Sequence, residues 1–387
     1  MSDAKAHLAL LGRELKRLRG KRTRADVADQ TDQHAFTASI DEVSLGRLEA
    51  GELEPTTDLL FSLSTAYKVS LLQLLDFIVI GRIIAEVPVP STLAEVDREL
   101  KEAFGLGDWL RALPLAVRGE QLSEDPTSEV KYRADRWAAA ERIGLRESAL
   151  IGLAQCAESR HVEEHRRHRI YSALAYSFSS AGLFTLAAHS AKEALLLAPT
   201  ELTPERRWGL IQTRVVLTVA QSEAGQPVGF GDLDEAEALL DEALDATDAG
   251  DLRKELHVEM LRGLVIKARN QEVQAELHLS RLVESAEESE QGYLLMMLRL
   301  HLGALRRFLG DHDGARAVLT QAAEYGKSRG YVEEMFEISF QRFRLSIEAN
   351  DGETKKHLET CGEYFSRVHG TTPSTVQFEE LIREHSS

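Results

Sequence analysis

Ala187, Ala236, Ala275 and Ala315 recur at intervals of 49, 39 and 40 residues. Ala236 follows Gly231-Asp232-Leu233-Asp234-Glu235 and is followed by Leu240 and Ala243; Ala315 follows Gly310-Asp311-His312-Asp313-Gly314 and is followed by Leu319 and Ala322. A small residue returning at such a period marks the place where paired antiparallel helices cross closely. A chain built that way cannot close around one central core. It stacks helix pairs, each burying its apolar face against the next, and leaves a concave groove along one side. This pattern constrains the fold more than any other feature of the 387 residues.

The clearest unit is Tyr171, Leu174, Ala175, Phe178, Gly182, Ala187, Ala191, Ala194 and Pro199. These spacings resemble the tetratricopeptide repeat, with a longer period than that family's standard. Ala275, Leu279 and Leu282 form a weaker copy, residues 332–368 a weaker one still, and residues 133–159 have room for an earlier helix pair. The expected fold class is therefore all-α: an α-solenoid of tetratricopeptide-like repeats over 128–387, preceded by a small helical domain.

That domain occupies residues 1–76. Leu8, Leu11, Leu15 and Leu18 keep helical spacing. Thr23 to Asp26 has the form of a capping box, and Ser39 to Glu42 has the fuller S-x-x-E form ahead of Val43, Leu45 and Leu48. Gly51 supplies a stop, Pro55 with Thr56 and Thr57 opens a fourth helix, and Ser70 caps a fifth. Charge is uneven here. The chain carries 46 Lys plus Arg against 63 Asp plus Glu, a net −17, which argues against a general polyanion binder. Yet residues 1–24 hold eight basic and two acidic groups, while residues 25–76 hold two basic and ten acidic ones. The basic cluster reads either as a solvated helix face or as a phosphate-facing patch.

Leu11-Gly12-Arg13-Glu14-Leu15-Lys16-Arg17-Leu18-Arg19, Ser44-Leu45-Gly46-Arg47-Leu48-Glu49-Ala50-Gly51, Glu54-Pro55-Thr56 and Ala66 to Leu75 resemble, in order, the elements of the Xre, or lambda-repressor-like, helix-turn-helix family. The resemblance implies double-stranded DNA as partner, read by the third helix of a homodimer. It places Lys21, Arg22 and Arg24 at the phosphate backbone and Thr37, Ser39, Val43, Ser44 and Arg47 on the reading element. It also implies a structural ion pair between Arg19 and Glu49. Two departures stand out: about seven extra residues around Gln33 to Thr37, and acids at Asp41 and Glu42, where bases are read.

A helix-turn-helix followed by such repeats resembles the RRNPP group of peptide-sensing regulators, which implies a peptide or protein ligand in the repeat groove. By repeat register the groove residues are Arg169, Ser172, Tyr176, Met260, Leu264, Lys267, Leu300, Ala304 and Arg307. Several members of that group hold the peptide backbone with Asn side chains, whereas this chain has only Asn270 and Asn350, both near inter-helix turns. The alternative is an interaction adaptor whose helix-turn-helix docks protein in place of DNA.

Other classes find little support. His161-Val162-Glu163-Glu164-His165 matches the H-x-x-E-H zinc-protease string, but it stands among Arg160, Arg166, Arg167 and Arg169, whose charge opposes a dication. No phosphate-binding glycine turn or nucleophile elbow occurs, so neither an enzyme nor a cofactor or metal is expected. Two cysteines, Cys156 and Cys361, suit a cytoplasmic protein better than a disulfide framework. The longest apolar stretch, Leu71 to Val89, is interrupted by Asp76, Gly81 and Arg82, and no signal peptide or membrane partner is expected. Residues 77–127 read as a helical linker with an apolar face, and Trp109, Trp137 and Trp208 read as packing residues.

Overall fold

Local propensity and small-residue spacing give a chain whose described residues form helices joined by turns. In the computed structural model, residues 7–33, 38–197, 204–223, 232–245, 247, 251–288, 292–327, 329, 331–368 and 372–385 are described. Among them run twenty α-helices and no strand. The chain divides into two compact units, residues 1–140 with 147–149, and residues 141–146 with 150–387.

The first unit opens with α1 (Ala9–Arg19), α2 (Arg24–Gln33), α3 (Glu42–Glu49), α4 (Thr57–Tyr67) and α5 (Leu71–Glu86). Leu11, Leu15, Val27, Leu45, Leu48, Leu63, Leu74 and Phe77 form its core at 0% exposure, so the apolar stripe of α1 serves as its periodicity requires. Gly12 is where α1 crosses the end of α3: a Cβ there would stand 2.6 Å from the Glu49 carbonyl oxygen and 2.7 Å from that of Leu48. Caps set the helix starts. Thr23 and Asp26 exchange backbone-to-side-chain bonds reciprocally, at 2.7 and 3.0 Å. Thr56 and Ser70 accept from Leu59 N and Gln73 N.

The start of α3 differs from the S-x-x-E expectation by two residues. Its N-cap is Asp41, whose Oδ1 accepts from Ser44 N at 2.8 Å, so Ser39 lies outside the helix. The cause is tertiary: Ile40 is buried, and its N–H donates to the buried Thr31 Oγ1 at 3.2 Å. That anchor keeps the segment extended until Asp41. Ile40 and Leu45, both buried, then stand at the two positions of a hydrophobic staple.

The expected limit at residue 76 falls inside α5, a continuous helix of 16 residues. Residues beyond it belong to the same unit through α6 (Leu93–Leu106), α7 (Trp109–Leu122) and most of α8 (Pro126–Arg142). Phe77 packs on Trp137 with ring centroids 5.8 Å apart, and Asp76 Oδ2 accepts from the buried Ser148 hydroxyl. The stretch read as a linker is thus part of the first unit's core. Trp109 and Trp137 are buried there; the side chain of Trp208 lies outside the described residues.

The second unit follows with the rest of α9 (Arg146–Ala157), outside residues 147–149, and then five helix hairpins: α10 (Glu164–Ser180) with α11 (Phe184–Leu196), α12 (Pro204–Glu223) with α13 (Leu233–Asp245), α14 (Leu252–Ala268) with α15 (Glu272–Glu288), α16 (Gly292–Phe308) with α17 (His312–Lys327), and α18 (Val332–Ala349) with α19 (Thr354–Phe365). The first helices of successive hairpins also pack on one another, which makes the array continuous. Ala187, Ala236, Ala275 and Ala315 are all buried, at 0–2% exposure. Gly263 and Gly303 are the complementary small residues: a Cβ would meet Leu279 at 2.7 Å and Leu319 at 2.5 Å. Asn270 and Asn350 adopt left-handed backbones (φ 58° and 48°) at the ends of α14 and α18, so both Asn residues serve as helix stops. A last helix, α20 (Pro373–His385), lays Phe378 against Phe336, Phe340 and Phe343. Among the described residues no helix is long and apolar enough to cross a membrane. Pro199 lies outside the described residues.

Candidate functional site

In the first unit the outward face of α3 is where side chains are available. Val43 is 73% exposed, and Ser39, Glu42 and Arg47 are exposed beside it. Ser44 is half-buried, its hydroxyl donating to Asp41 Oδ2 at 2.8 Å. Bonds from Ser44 hold the Asp41 carboxyl below its ordinary value, so at neutral pH it is a charged cap complementing the helix dipole. Thr37 lies outside the described residues.

The basic cluster is largely spent inside the unit. Arg19 Nε donates to Glu49 Oε1 at 2.6 Å, and Arg24 Nε donates to Glu49 Oε2 at 2.9 Å. Burial raises the Glu49 carboxyl, but its two arginines outweigh that and hold it low. Arg22 donates to the Ala66 carbonyl at 2.8 Å and to Gln30 at 3.1 Å, with its guanidinium over the Tyr67 ring. Arg17 pairs with Glu14 at 2.7 Å and Arg13 with Glu120 at 3.6 Å. Lys16, Lys21 and Arg24 remain exposed, with Arg47 on α3; Lys5 lies outside the described residues. This unit therefore presents a short helix whose outer face is apolar at Val43 and cationic at Arg47, with Lys21 and Arg24 near the start of α2. Those are elements of groove reading and phosphate contact.

The second unit contains a cavity of about 320 Å³. It is lined by Arg142 and Arg146, by Tyr176 of α10, Lys267 of α14, Met297, Leu300, His301 and Ala304 of α16, and Glu333, Glu334, Phe336, Glu337 and Gln341 of α18. Of the nine expected groove residues it brings together Tyr176, Lys267, Leu300 and Ala304. Arg307 stands behind the wall, its Nε donating to Gln341 Oε1 at 3.1 Å. Met260 and Leu264 turn into the cores between helices. Arg169 is exposed, and Ser172 donates to the His168 carbonyl at 3.1 Å.

Sequence reasoning missed the charged wall. Arg146 Nη2 donates to Glu333 Oε2 at 2.6 Å. The Arg142 guanidinium lies 4.6 Å over the Tyr176 ring. Glu334 Oε1 accepts from Tyr293 Oη, and Glu337 Oε2 from Ser374 Oγ, both at 2.9 Å. The signal was three glutamates within five positions of an otherwise apolar run, Val332 to Ile338, in the weakest of the repeats. Burial pushes all three carboxyls up, Glu337 to about 6, against the lowering effects of Ser374 and Arg146. His257 moves the other way, to about 4, through burial and then Arg253 and Arg142, so it is neutral at physiological pH.

The carboxyls predict a pH response. A carboxyl raised above its unfolded value favours the folded state at low pH, and that advantage is lost as pH rises through the folded value. Glu337, with Ser374, Arg146, Glu334 and the Cys361 thiol around it, should therefore make the ligand-free protein more stable at pH 5.5 than at pH 7.5. The gain should be somewhat under about 1 kcal/mol in urea denaturation. It should shrink in Glu337→Gln, and equal midpoints at the two pH values would contradict the assignment.

The zinc-protease string lacks its geometry. His161 lies in a turn ahead of α10, where its Nε2 accepts from Arg160 Nε at 3.1 Å, so it stands outside the helix. Among the described residues no group of His, Cys, Asp and Glu has the arrangement of a metal site.

No family model matches the chain, and neither does any curated protein. Solved structures similar to it include Bacillus thuringiensis PlcR in complex with the peptide PapR7 and DNA, at 11% identity over 84% of this chain and 96% of that one, with a TM-score of 0.33. Another is the Streptococcus dysgalactiae SHP pheromone receptor Rgg2, at 13% identity over 76% and 98%, with a TM-score of 0.34. At such scores neither similarity assigns a role to any residue of this chain.

Proposed function

We propose that this chain is a cytoplasmic, non-enzymatic transcription regulator. It binds double-stranded DNA as a homodimer through α3 and answers to a peptide or protein ligand in the groove of its second unit. The observation that carries the reading is the outer face of α3. Val43 and Arg47 stand exposed on a helix braced from behind by Arg19, Arg24 and Glu49, with Lys21 and Arg24 exposed near the start of the preceding helix. A helix entering the major groove needs such a face, and phosphates need such cations beside it.

The test is selection of genomic fragments by the purified protein across a salt series, with and without candidate peptides. Lys21→Ala should weaken binding to all fragments alike and lower the slope of log K against log salt by about one. Val43→Ala should instead alter the preference between sequences. Absence of sequence-selective binding under every condition would overturn the reading.

A second reading, a protein-docking adaptor, draws on the acids at Asp41 and Glu42 and on the internal use of Arg13, Arg17, Arg19 and Arg22. It expects partner binding that Lys21→Ala leaves intact and no retention of DNA fragments.

A further inference from the structure

Three carboxylates of α18 line the cavity of the second unit and Glu141 acts on two of them, against Arg142, Arg146 and Lys267. Glu334 and Glu337 form no ion pair among the described residues; their partners are the neutral hydroxyls of Tyr293 and Ser374. Glu334 is only 6% exposed, and its Oε2 meets no donor, nor does Oε1 of Glu333. Burying a carboxylate without a matched cation is costly, and cheaper polar residues would line a groove of no specificity. The same wall holds an unmet donor set: Arg146 gives Nη2 to Glu333, while its buried Nε and Nη1 have no acceptor.

We propose that this cavity binds an organic cation, an ammonium or guanidinium, between Glu334 and Glu337, with a carbonyl oxygen of the same ligand facing Arg146. The proposal rests on the ligand-responsive reading above in so far as this groove is its sensing site, and it names the chemistry sensed there. An anion meets three carboxylates in this space, whereas Arg142 lies over Tyr176 and Arg146 already gives one of its nitrogens to Glu333. Tyr176, Phe336 and Met297 offer apolar surface for a methylene stem behind the charge. A volume of about 320 Å³ lies at the lower end of the roughly 300–1,000 Å³ of small-molecule pockets. It admits one basic side chain with its neighbouring backbone, or a free small amine, and excludes a docked helix. The burial-raised carboxyls agree with this: a bound cation favours their ionised form and offsets the desolvation that raises them.

The experiment is calorimetric titration of the full chain with L-argininamide and with L-citrullinamide, both acetylated at the α-amine so that they differ in the guanidinium charge alone, and with a capped glycine–arginine–glycine tripeptide. Argininamide should bind saturably and at least tenfold more tightly than citrullinamide. The Glu334→Gln/Glu337→Gln protein should lose at least tenfold of that affinity. It should also keep its helical circular dichroism and melt no lower than the parent, since each change removes a poorly compensated charge. A tripeptide that binds more tightly than argininamide supports the site and assigns it to a basic residue of a peptide; the reverse order supports it and assigns a free amine. No binding at millimolar concentration, equal binding of citrullinamide, or unchanged affinity in the double variant overturns the proposal. The two readings fail separately. Argininamide that binds without changing DNA affinity removes the sensing role and leaves this site. An uncharged peptide that changes DNA affinity, where argininamide does not bind, leaves sensing and removes this site.

Discussion

Arg136→Ala should cost the first unit about 3–5 kcal/mol of stability, the range for removing one partner of a buried ion pair. Arg136 is 0% exposed, and its Nη1 lies 2.6 Å from Glu14 Oε1 and 3.0 Å from Glu120 Oε2. Glu14 and Glu120 are themselves buried, at 1% and 8% exposure. Burial pushes the Glu14 carboxyl up, but Arg136 and Arg17 outweigh it and hold it well below the carboxylate range. With the arginine gone, Glu14 keeps only the partly exposed Arg17, and Glu120 keeps Arg13 and Arg133. Both carboxylates then lose the one fully buried cation and are left to arginines that reach solvent.

Urea denaturation followed by tryptophan fluorescence reports this directly, because the Arg136 guanidinium lies 4.6 Å over the Trp137 ring. A loss under about 1 kcal/mol, the worth of a surface pair, would mean that the cluster is hydrated. Arg136→Met combined with Glu14→Leu should recover much of the loss, since well-packed apolar replacements of buried pairs are often neutral or better. The pH sign here is opposite to that of Glu337. A depressed carboxyl contributes stability above its unfolded value, and that contribution is lost as pH falls below the ordinary 4.5 toward the folded value.

Phe378→Ala should cost the second unit a comparable amount, about 3–5 kcal/mol, through lost transfer energy and the cavity left behind. The ring is 0% exposed and meets Phe336, Phe340, Phe343 and Phe365 at centroid distances of 5.8, 6.1, 5.9 and 5.2 Å, three of the four edge-on. The change should reach the cavity as well. Phe336 lines it, and Ser374, one turn before Phe378 on α20, donates to Glu337. Denaturation combined with argininamide titration separates the two effects. A stability loss with unchanged affinity would show that α20 braces the core without shaping the cavity wall. Phe378→Leu, which keeps most of the volume, should retain the majority of both properties.

Much of the fold was readable because it rests on short-range rules. The apolar stripe Leu8, Leu11, Leu15 and the caps at Thr23, Thr56 and Ser70 each involve residues within a turn or two of one another. The crossing alanines Ala187, Ala236, Ala275 and Ala315 were visible because a close helix crossing tolerates few residue types. The start of α3 was misplaced by two residues for the opposite reason. Ser39 satisfies the local pattern, but the burial of Ile40 and its bond to Thr31, nine positions away, overrule it. Residue 76 lies inside α5, and its carboxylate meets Ser148, 72 positions away, a contact that no local pattern records.

The chain's own order of residues determines an all-α protein, a small N-terminal domain of short capped helices, and a stack of helix pairs crossing at small residues. Periodicity, capping and the size of a side chain at a crossing act over a few residues, and all are written locally. The fate of each charge is different. Eight cations among the first 24 residues read as a surface patch, yet Arg13, Arg17, Arg19 and Arg22 are spent on internal partners. Three glutamates stand in the weakest of the repeats, and they line a cavity. Glu14 and Arg136 are 122 residues apart, and Arg146 and Glu333 are 187. A charge finds its partner only when the packed helices bring it there, so the electrostatics of both units are a property of the folded chain.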